Sequence, residues 1–266
     1  MSSDELLIRS EGPVRWISLN RPSSKNGLTV DLNRQIIEAF DAAGADASVR
    51  VVVLGGEGGN FCSGLDLRAA MSEAQLGTTG DEALERRMND WFHGLIRAVV
   101  RCPKPVLALV DGPAVGFGCD LALACDLRIG TPRARFGEIF VKRGLMPDGG
   151  GTYHLSRLVG MAKTLELMML GEMVEADEAA RLGLLSRVVP VDSAQAAASE
   201  LAGKLAAGAP LVHALVKSAV RGALGGTLEE ALAVERKGQI QLLKSQDFAE
   251  GIVAFFEKRP PKFIGK

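Results

Sequence analysis

The stretch "DGPAVGFGCDLALACD", residues 111–126, decides the fold of this chain. Its first half holds three glycines and a proline, and an apolar run that carries Asp120 near its start follows. The apolar segment "KPVLALVDG" ends at this turn, and "DLRIG" comes directly after the apolar run. A buried strand, a glycine-bearing turn, a helix and another short apolar strand are typical of a layered α/β fold.

The same arrangement occurs earlier, where the strand-like "RVVVLGGEG" runs into the glycine-bearing "NFCSGLD". The N-terminal "DELLIRSEGPVRWISLN" predicts two strands around a turn, and Thr29 can cap a helix over the next residues. A further helix is expected near residues 82–100, and from about residue 160 the pattern is mostly helical, with a strand at "LSRVVPV". We therefore predict an α/β core over residues 1–195 and a C-terminal helical region over residues 196–266.

Composition excludes several classes of protein. The 266 residues are 47% hydrophobic and 24% charged, with a formal net charge of −1, which argues against nucleic acid as the main ligand. No segment approaches the ~18 apolar residues of a membrane helix. The acidic, polar N-terminus does not resemble a signal peptide. We expect a cytoplasmic protein that binds neither membrane nor nucleic acid.

Cysteine and histidine spacing gives no metal site. The four cysteines include no C-x-x-C pair and are expected to be reduced core thiols. The three histidines lie far apart in the sequence and lack ligand spacing, which argues against a zinc site.

The glycine-rich stretches allow several interpretations. "GFGCDL" begins like a dinucleotide fingerprint but has Leu121 where the third glycine should be. Ser63 lacks the G-x-S-x-G context of a serine hydrolase nucleophile. A better hypothesis is that both stretches aim backbone N–H groups into one pocket, where two donors would stabilise an oxyanion. The alternative, left open by the residues alone, is that the glycines only permit tight packing.

Three motifs together resemble the enoyl-CoA hydratase/isomerase (crotonase) superfamily: "NFCSGLDL", "DGPAVGFGCDLALACDLRIG" and "RFGEIFVKRGLMPDGGGTYHLSRLVG". The resemblance extends from "RPSSKNGL" to "FFEKRPPKF" and so covers nearly the whole chain. It implies a spiral of ββα turns, C-terminal helices that build trimers or hexamers, and a coenzyme A thioester substrate. No cofactor beyond the coenzyme A moiety of that substrate is implied.

The resemblance also assigns roles to individual residues. The oxyanion-hole donors would be the backbone N–H groups of Ser63 and Phe117, although family members usually have glycine at the second position. The ring of Phe117 must therefore point away from the acyl pocket or reshape it. The residues implied in coenzyme A binding are Lys25, Asp66, Leu67, Lys258 and Phe263.

The carboxylates bear on which reaction is catalysed. Hydratases of the family hold a water between two glutamates, and the first of these positions is Asp120 here. The second is Phe140, which can neither accept a proton nor hold a water. Glu138 could replace it only through a shift in register, which the unbroken spacing to "GLMPDGGGT" argues against.

Asp148 offers another route. The segment "RGLMPDGGGT" resembles that of dienoyl-CoA and ring-1,2-epoxyphenylacetyl-CoA isomerases, in which an aspartate transfers protons. One carboxylate beside a stabilised enolate can carry a proton between two carbons. The structural alternative is that Asp148 caps the following helix. Asp120 would then be a second acid/base or a group that positions the partner atoms of Asp148.

The sequence thus predicts an acyl-CoA isomerase that shifts a C=C bond through an enolate, with Asp148, Asp120, Ser63 and Phe117 as its catalytic residues. The alternatives are an enoyl-CoA hydratase and an acyl-CoA-binding homologue without catalysis. The apolar stripe of "PLVHALVKSAVRGAL" predicts a homotrimer or hexamer.

Overall fold

The computed structural model describes residues 4–69 and 80–266. Within them the main sheet has the strand order β1-β2-β3-β4-β6-β9. β1 and β2 form an antiparallel hairpin, and every later pair in this sheet is parallel. The strands are β1 Leu6–Glu11, β2 Val14–Leu19, β3 Val51–Gly56, β4 Val106–Val110, β6 Leu127–Gly130 and β9 Arg187–Val188.

A second sheet has the order β5-β7-β8, with β5 Pro113–Val115, β7 Arg135–Gly137 and β8 Met173–Glu175. These strands were not predicted from the sequence. Each has three residues, too few to show an alternating pattern, and β5 begins with a proline.

The predicted helices are present. Thr29 caps α1 by accepting a hydrogen bond from the Leu32 amide at 3.1 Å. The segment expected to be helical near residues 82–100 contains a π-helical turn at Met88–Phe92 between α2 and α3. The helices are α1 Val30–Ala45, α2 Asp81–Arg87, α3 His93–Arg101, α4 Phe117–Ala124, α5 Gly151–Leu170 (interrupted at Gly160), α6 Ala176–Arg181, α7 Ala194–Ala206, α8 Pro210–Ala223, α9 Leu228–Leu242 and α10 Gln246–Glu257.

The C-terminal helical region contributes its first helix to the core. The small side chains Ala198, Ala202 and Ala206 on α7 pack in one cluster with Trp16 and Val53 of the sheet. The expected division at residue 195 thus falls inside a helix that covers the sheet.

Asp126 connects the next helix, α8, to the sheet through a hydrogen bond and two ion pairs. Its carboxylate accepts a hydrogen bond from the Val106 amide at 2.8 Å. The same carboxylate pairs with Lys217 at 2.7 Å and with Arg221 at 2.9 Å, both on α8. Beyond this point α9 and α10 expose large apolar side chains, among them Leu228, Phe255 and Phe256.

No helix in the described parts of the chain is both long and apolar enough to cross a membrane. Within the same residues, no group of three or more His, Cys, Asp or Glu side chains is arranged to hold a metal ion.

Candidate active site

A narrow pocket of about 80 Å³ lies where the chain leaves β3 and β4. Two turns border it, residues 62–67 after β3 and residues 111–117 after β4. They are joined by backbone hydrogen bonds of 2.9 Å from Val115 to Cys62 and from Cys62 to Pro113. The lining residues are Ser63, Gly64, Leu65, Leu67, Phe92, Gly116, Phe117, Ile139, Phe140, Arg143, Leu145 and Asp148.

The prediction that the amide of Ser63 is the first oxyanion donor is wrong. That amide donates to the Lys25 carbonyl at 3.0 Å and is therefore not available to a ligand. Leu65 sits two residues further along, opposite Leu28 in a parallel bridge. Leu28 is hydrogen-bonded to the residues on both sides of Leu65, so the Leu65 amide faces away from Leu28 and has no acceptor in the described structure.

The second predicted donor, the amide of Phe117, has no acceptor among the residues that the structure describes. Phe117 is the first residue of α4, where the N–H groups have no partner within the helix and the helix dipole is positive. A Cβ added to Gly64 would lie 2.8 Å from the Val115 carbonyl oxygen and 3.3 Å from the Phe117 nitrogen. Glycine at this position thus brings the Leu65 and Phe117 amides to one pocket, an arrangement that can hold an oxyanion.

Aromatic rings form the wall of the pocket. The ring of Phe117 is buried and packs edge-to-face on Phe92, with 5.5 Å between centroids. Phe140 is buried too and lies close to Gly116. Phe92 was missed in the sequence, where it is one apolar residue of a helix, and the π-helical turn places it at the pocket.

Asp148 is the one carboxylate among the described residues that line the pocket. Burial raises the pKa of Asp148 above its ordinary value, and the nearby His93 offsets part of this effect. Its Oδ1 atom is buried and has no hydrogen-bond partner within residues 4–69 and 80–266. The N-cap of α5 is Gly150, which makes no side-chain cap, so the helix-cap interpretation of Asp148 is not supported.

Asp120 lies behind the pocket and is fully buried. Its Oδ2 atom accepts a hydrogen bond of 2.9 Å from the amide of Gly149, the residue after Asp148. Burial, followed by the charges of Glu138 and Asp148, raises the pKa of Asp120 well above its usual range. This geometry favours the positioning role over that of a second acid/base.

Glu138 was considered in the sequence only as a substitute at the Phe140 position. In the structure Phe140 occupies the pocket wall, and Glu138 is buried on the other side, next to Cys119. The spacing argument against a register shift thus agrees with the structure. Burial raises the pKa of Glu138 to about 7.

Of the predicted coenzyme A residues, Leu67 lines the pocket, and Lys25 and Asp66 lie next to residues that line it. Lys25 is exposed, and its backbone carbonyl accepts a hydrogen bond from the amide of Ser63, which lines the pocket. Leu67 lines the pocket mouth. Asp66 pairs with Arg21 at 3.1 Å. Burial alone would raise the pKa of Asp66, but amide hydrogen bonds and this ion pair lower it overall.

The other two predicted coenzyme A residues, Lys258 and Phe263, belong to the C-terminal tail and are not among the residues that line the pocket. Lys258 ends α10 in a left-handed conformation. The Phe263 carbonyl accepts a hydrogen bond from Arg50, which precedes β3, whereas the pocket lies beyond the other end of that strand. A six-residue strand is about 20 Å long, so Phe263 does not reach the pocket of its own chain.

An α/β fold in which Leu65, Phe117 and the carboxylate of Asp148 line one pocket is typical of acyl-CoA enzymes of the crotonase class. The chain belongs to this superfamily: the family model described as Enoyl-CoA hydratase/isomerase matches residues 9–266. The predicted family and fold are thereby confirmed.

Individual relatives include both hydratases and an isomerase. The chain is 39% identical over 257 residues to a Rhodobacter capsulatus protein named "Probable enoyl-CoA hydratase", covering 97% of this chain and 96% of that one. It is 34% identical to the 1,2-epoxyphenylacetyl-CoA isomerase of Escherichia coli, covering 98% of each. The crystal structure of an enoyl-CoA hydratase from Bacillus anthracis matches with a TM-score of 0.92 and 31% identity, over 99% of this chain and 100% of that one. Hydratases predominate among the similar curated proteins.

Gly118→Ala tests the dependence of the site on the contact between its two turns. A Cβ at Gly118 would lie 2.2 Å from the Cys62 carbonyl oxygen, so α4 must move away from the 62–67 turn. We expect kcat with a CoA thioester to fall by about 10²-fold because the two amides no longer converge. In the control Gly203→Ala on α7, where nothing lies within 4 Å, kcat should be unchanged and stability should rise by up to about 1 kcal/mol. An unchanged kcat in a folded Gly118→Ala protein would contradict the assignment of the site.

Proposed function

We propose that this protein binds the thioester carbonyl oxygen of an acyl-CoA through the amides of Leu65 and Phe117, and that Asp148 removes a proton from the acyl chain to form an enolate and returns it to a second carbon. The observation that carries the proposal is the position of Asp148, the one carboxylate in the described lining of the pocket that also holds both amides. Negative charge that develops on the oxygen is stabilised by the two N–H groups and by the positive end of α4.

Asp148 suits a general base because its raised pKa makes it more basic than an exposed aspartate. In its ionised form it removes a proton from a carbon of the acyl chain, which is more acidic because the two amides stabilise the enolate that results. In its protonated form it returns that proton to a second carbon, and the double bond shifts. The chemistry needs no group beyond the coenzyme A moiety of the substrate.

Isomerisation is the reaction that this geometry supports best. It requires one carboxylate and no bound water, and Phe140 occupies the wall where a second acceptor would be needed. Hydration of a 2-enoyl-CoA is the second candidate, because hydratases predominate among the similar curated proteins. In that reaction Asp148 would activate a water with help from Asp120.

The coenzyme A moiety would lie along the pocket mouth, beside Lys25, Leu67 and the loop held by Asp66. Lys258 and Phe263 would contribute only from the tail of a second copy. This part of the proposal is supported by the exposure of Lys25 and by the distance of Phe263 from the pocket of its own chain.

Asp148→Asn separates binding from chemistry. The substitution keeps the shape of the side chain and removes the base, so kcat should fall by about 10²-fold or more while KM changes little. The acid limb of the pH profile, which the raised pKa of Asp148 places above the ordinary aspartate range, should be lost with it. A variant that keeps near-wild-type rates would show that Asp148 is not the base.

Product analysis distinguishes the two reactions. With a 3-enoyl-CoA or dienoyl-CoA substrate, we expect conversion to the conjugated isomer without gain of the mass of water, and partial deuterium incorporation in deuterium oxide. Mass spectrometry reads both. Hydration of a 2-enoyl-CoA at higher efficiency than any isomerisation would establish the hydratase instead, and binding without turnover of either substrate would indicate a non-catalytic homologue.

We also propose that the protein is a homotrimer or a hexamer. The proposal is supported by the exposed apolar side chains of α9 and α10, where Leu228 is 72% and Phe255 77% accessible. Light scattering at micromolar concentration should give a trimeric or hexameric mass, and changing Phe255 and Phe256 together to serine should shift it towards the monomer. A monomeric wild-type protein would contradict this.

A further inference from the structure

Two buried carboxyl groups meet behind the pocket. Asp120 on α4 is fully buried and Glu138, just after β7, is 2% exposed. Their side chains converge on Gly151, where an added Cβ would lie 2.2 Å from Asp120 Oδ1 and 2.9 Å from Glu138 Oε1. The two groups come from separate elements, α4 and the segment after β7, so their meeting is a tertiary contact.

The pair has few other partners. Asp120 Oδ1 and both oxygens of Glu138 receive no hydrogen bond from an N–H or hydroxyl group in the described residues. What remains for them is the contact between the two carboxyl groups and the thiol of Cys119, a weak donor. Neither residue takes part in an ion pair with any described lysine, arginine or histidine.

A hydrogen bond between two carboxyl groups requires a proton. Two adjacent carboxylates cannot both be ionised in a buried site, because each charge is poorly solvated and repels the other. The remaining titratable groups that face Glu138 are Cys119, Asp148 and, across a small cavity, Glu172, and none of these supplies positive charge. Burial raises the pKa of both Asp120 and Glu138, in the direction that this reasoning requires.

We propose that Asp120 and Glu138 share a single proton near neutral pH and together carry one negative charge. The shared proton joins Glu138 to Asp120 Oδ1 and fixes the Asp120 carboxyl. Asp120 Oδ2 is then held towards the Gly149 amide, which fixes the position of the neighbouring Asp148. Glu138 is thus a positioning residue that acts on the pocket through Asp120. Only this last step rests on the proposed function of Asp148.

The charge of the protein tests the shared proton without any substrate. Replacing an ionised glutamate by glutamine removes one negative charge, as the exposed Glu57→Gln control should show by native electrophoresis at pH 7.5. Glu138→Gln and Asp120→Asn should each leave the net charge unchanged, because the remaining carboxyl of the pair becomes fully ionised. The double variant should lose one negative charge.

Each other result overturns the proposal. Loss of two negative charges in the double variant means that both groups are ionised in the wild type. No shift in the double variant means that both are protonated. If the single variants do not fold, infrared spectra of Asp148→Asn test the shared proton instead. At pH 7.5 these spectra should contain the C=O stretch of a protonated carboxyl group. Absence of this band would contradict a shared proton.

The positioning role has a separate readout. Glutamine can donate to Asp120 and needs no proton, so Glu138→Gln should keep kcat within about 3-fold of wild type. Glu138→Leu leaves Asp120 Oδ1 without a partner, and kcat should fall by about 10-fold or more with a small change in KM. Equal kcat in the two variants would refute the positioning role. If the wild-type protein showed no turnover, the proposed function would be refuted. The charge measurements would still test whether Asp120 and Glu138 share a proton.

Discussion

The site depends on the close approach of two backbone turns that only glycine permits. Gly118 lies against the Cys62 carbonyl, and Gly64 lies against that of Val115. The hydrogen bond between Cys62 and Val115 fixes the turns to each other. Because both turns follow parallel strands of one sheet, their positions are set by the core. In the proposed function, the amides of Leu65 and Phe117 therefore need little reorganisation to receive a negative oxygen.

The elements that bury long apolar runs could be predicted from the sequence. β3 and β4 read as continuous hydrophobic segments, and Thr29 supplies the cap of α1. The donor in the 62–67 turn could not be placed, because which amide is free depends on a bridge to Leu28, far away in the sequence. Had both that bridge and the hydrogen bond from Ser63 to Lys25 been known, Leu65 would have been selected instead of Ser63.

The carboxylates show the same division between local and tertiary information. The motif around Asp148 was sufficient to single it out as a candidate, and the structure adds that it alone among the described lining residues carries a carboxylate. The importance of Glu138 was not visible, because in the sequence it is one acidic residue beside an apolar segment. Its burial against Asp120 arises from the packing of α4 and α5 on the segment after β7, which no local pattern specifies.

An amide pair of this kind would stabilise an enolate in either reaction, hydration or isomerisation. Which reaction takes place therefore depends on the side chains that reach the carbon atoms of the acyl chain. Here two of the three acidic side chains are withdrawn from the pocket, and an aromatic wall replaces a second acceptor. In the proposed function Asp148, which is half-buried and lines the pocket, exchanges the proton, and burial raises its pKa. A fold that holds the oxyanion in one fixed place can therefore support addition of water or a shift of a double bond, depending on which carboxylates face the acyl chain.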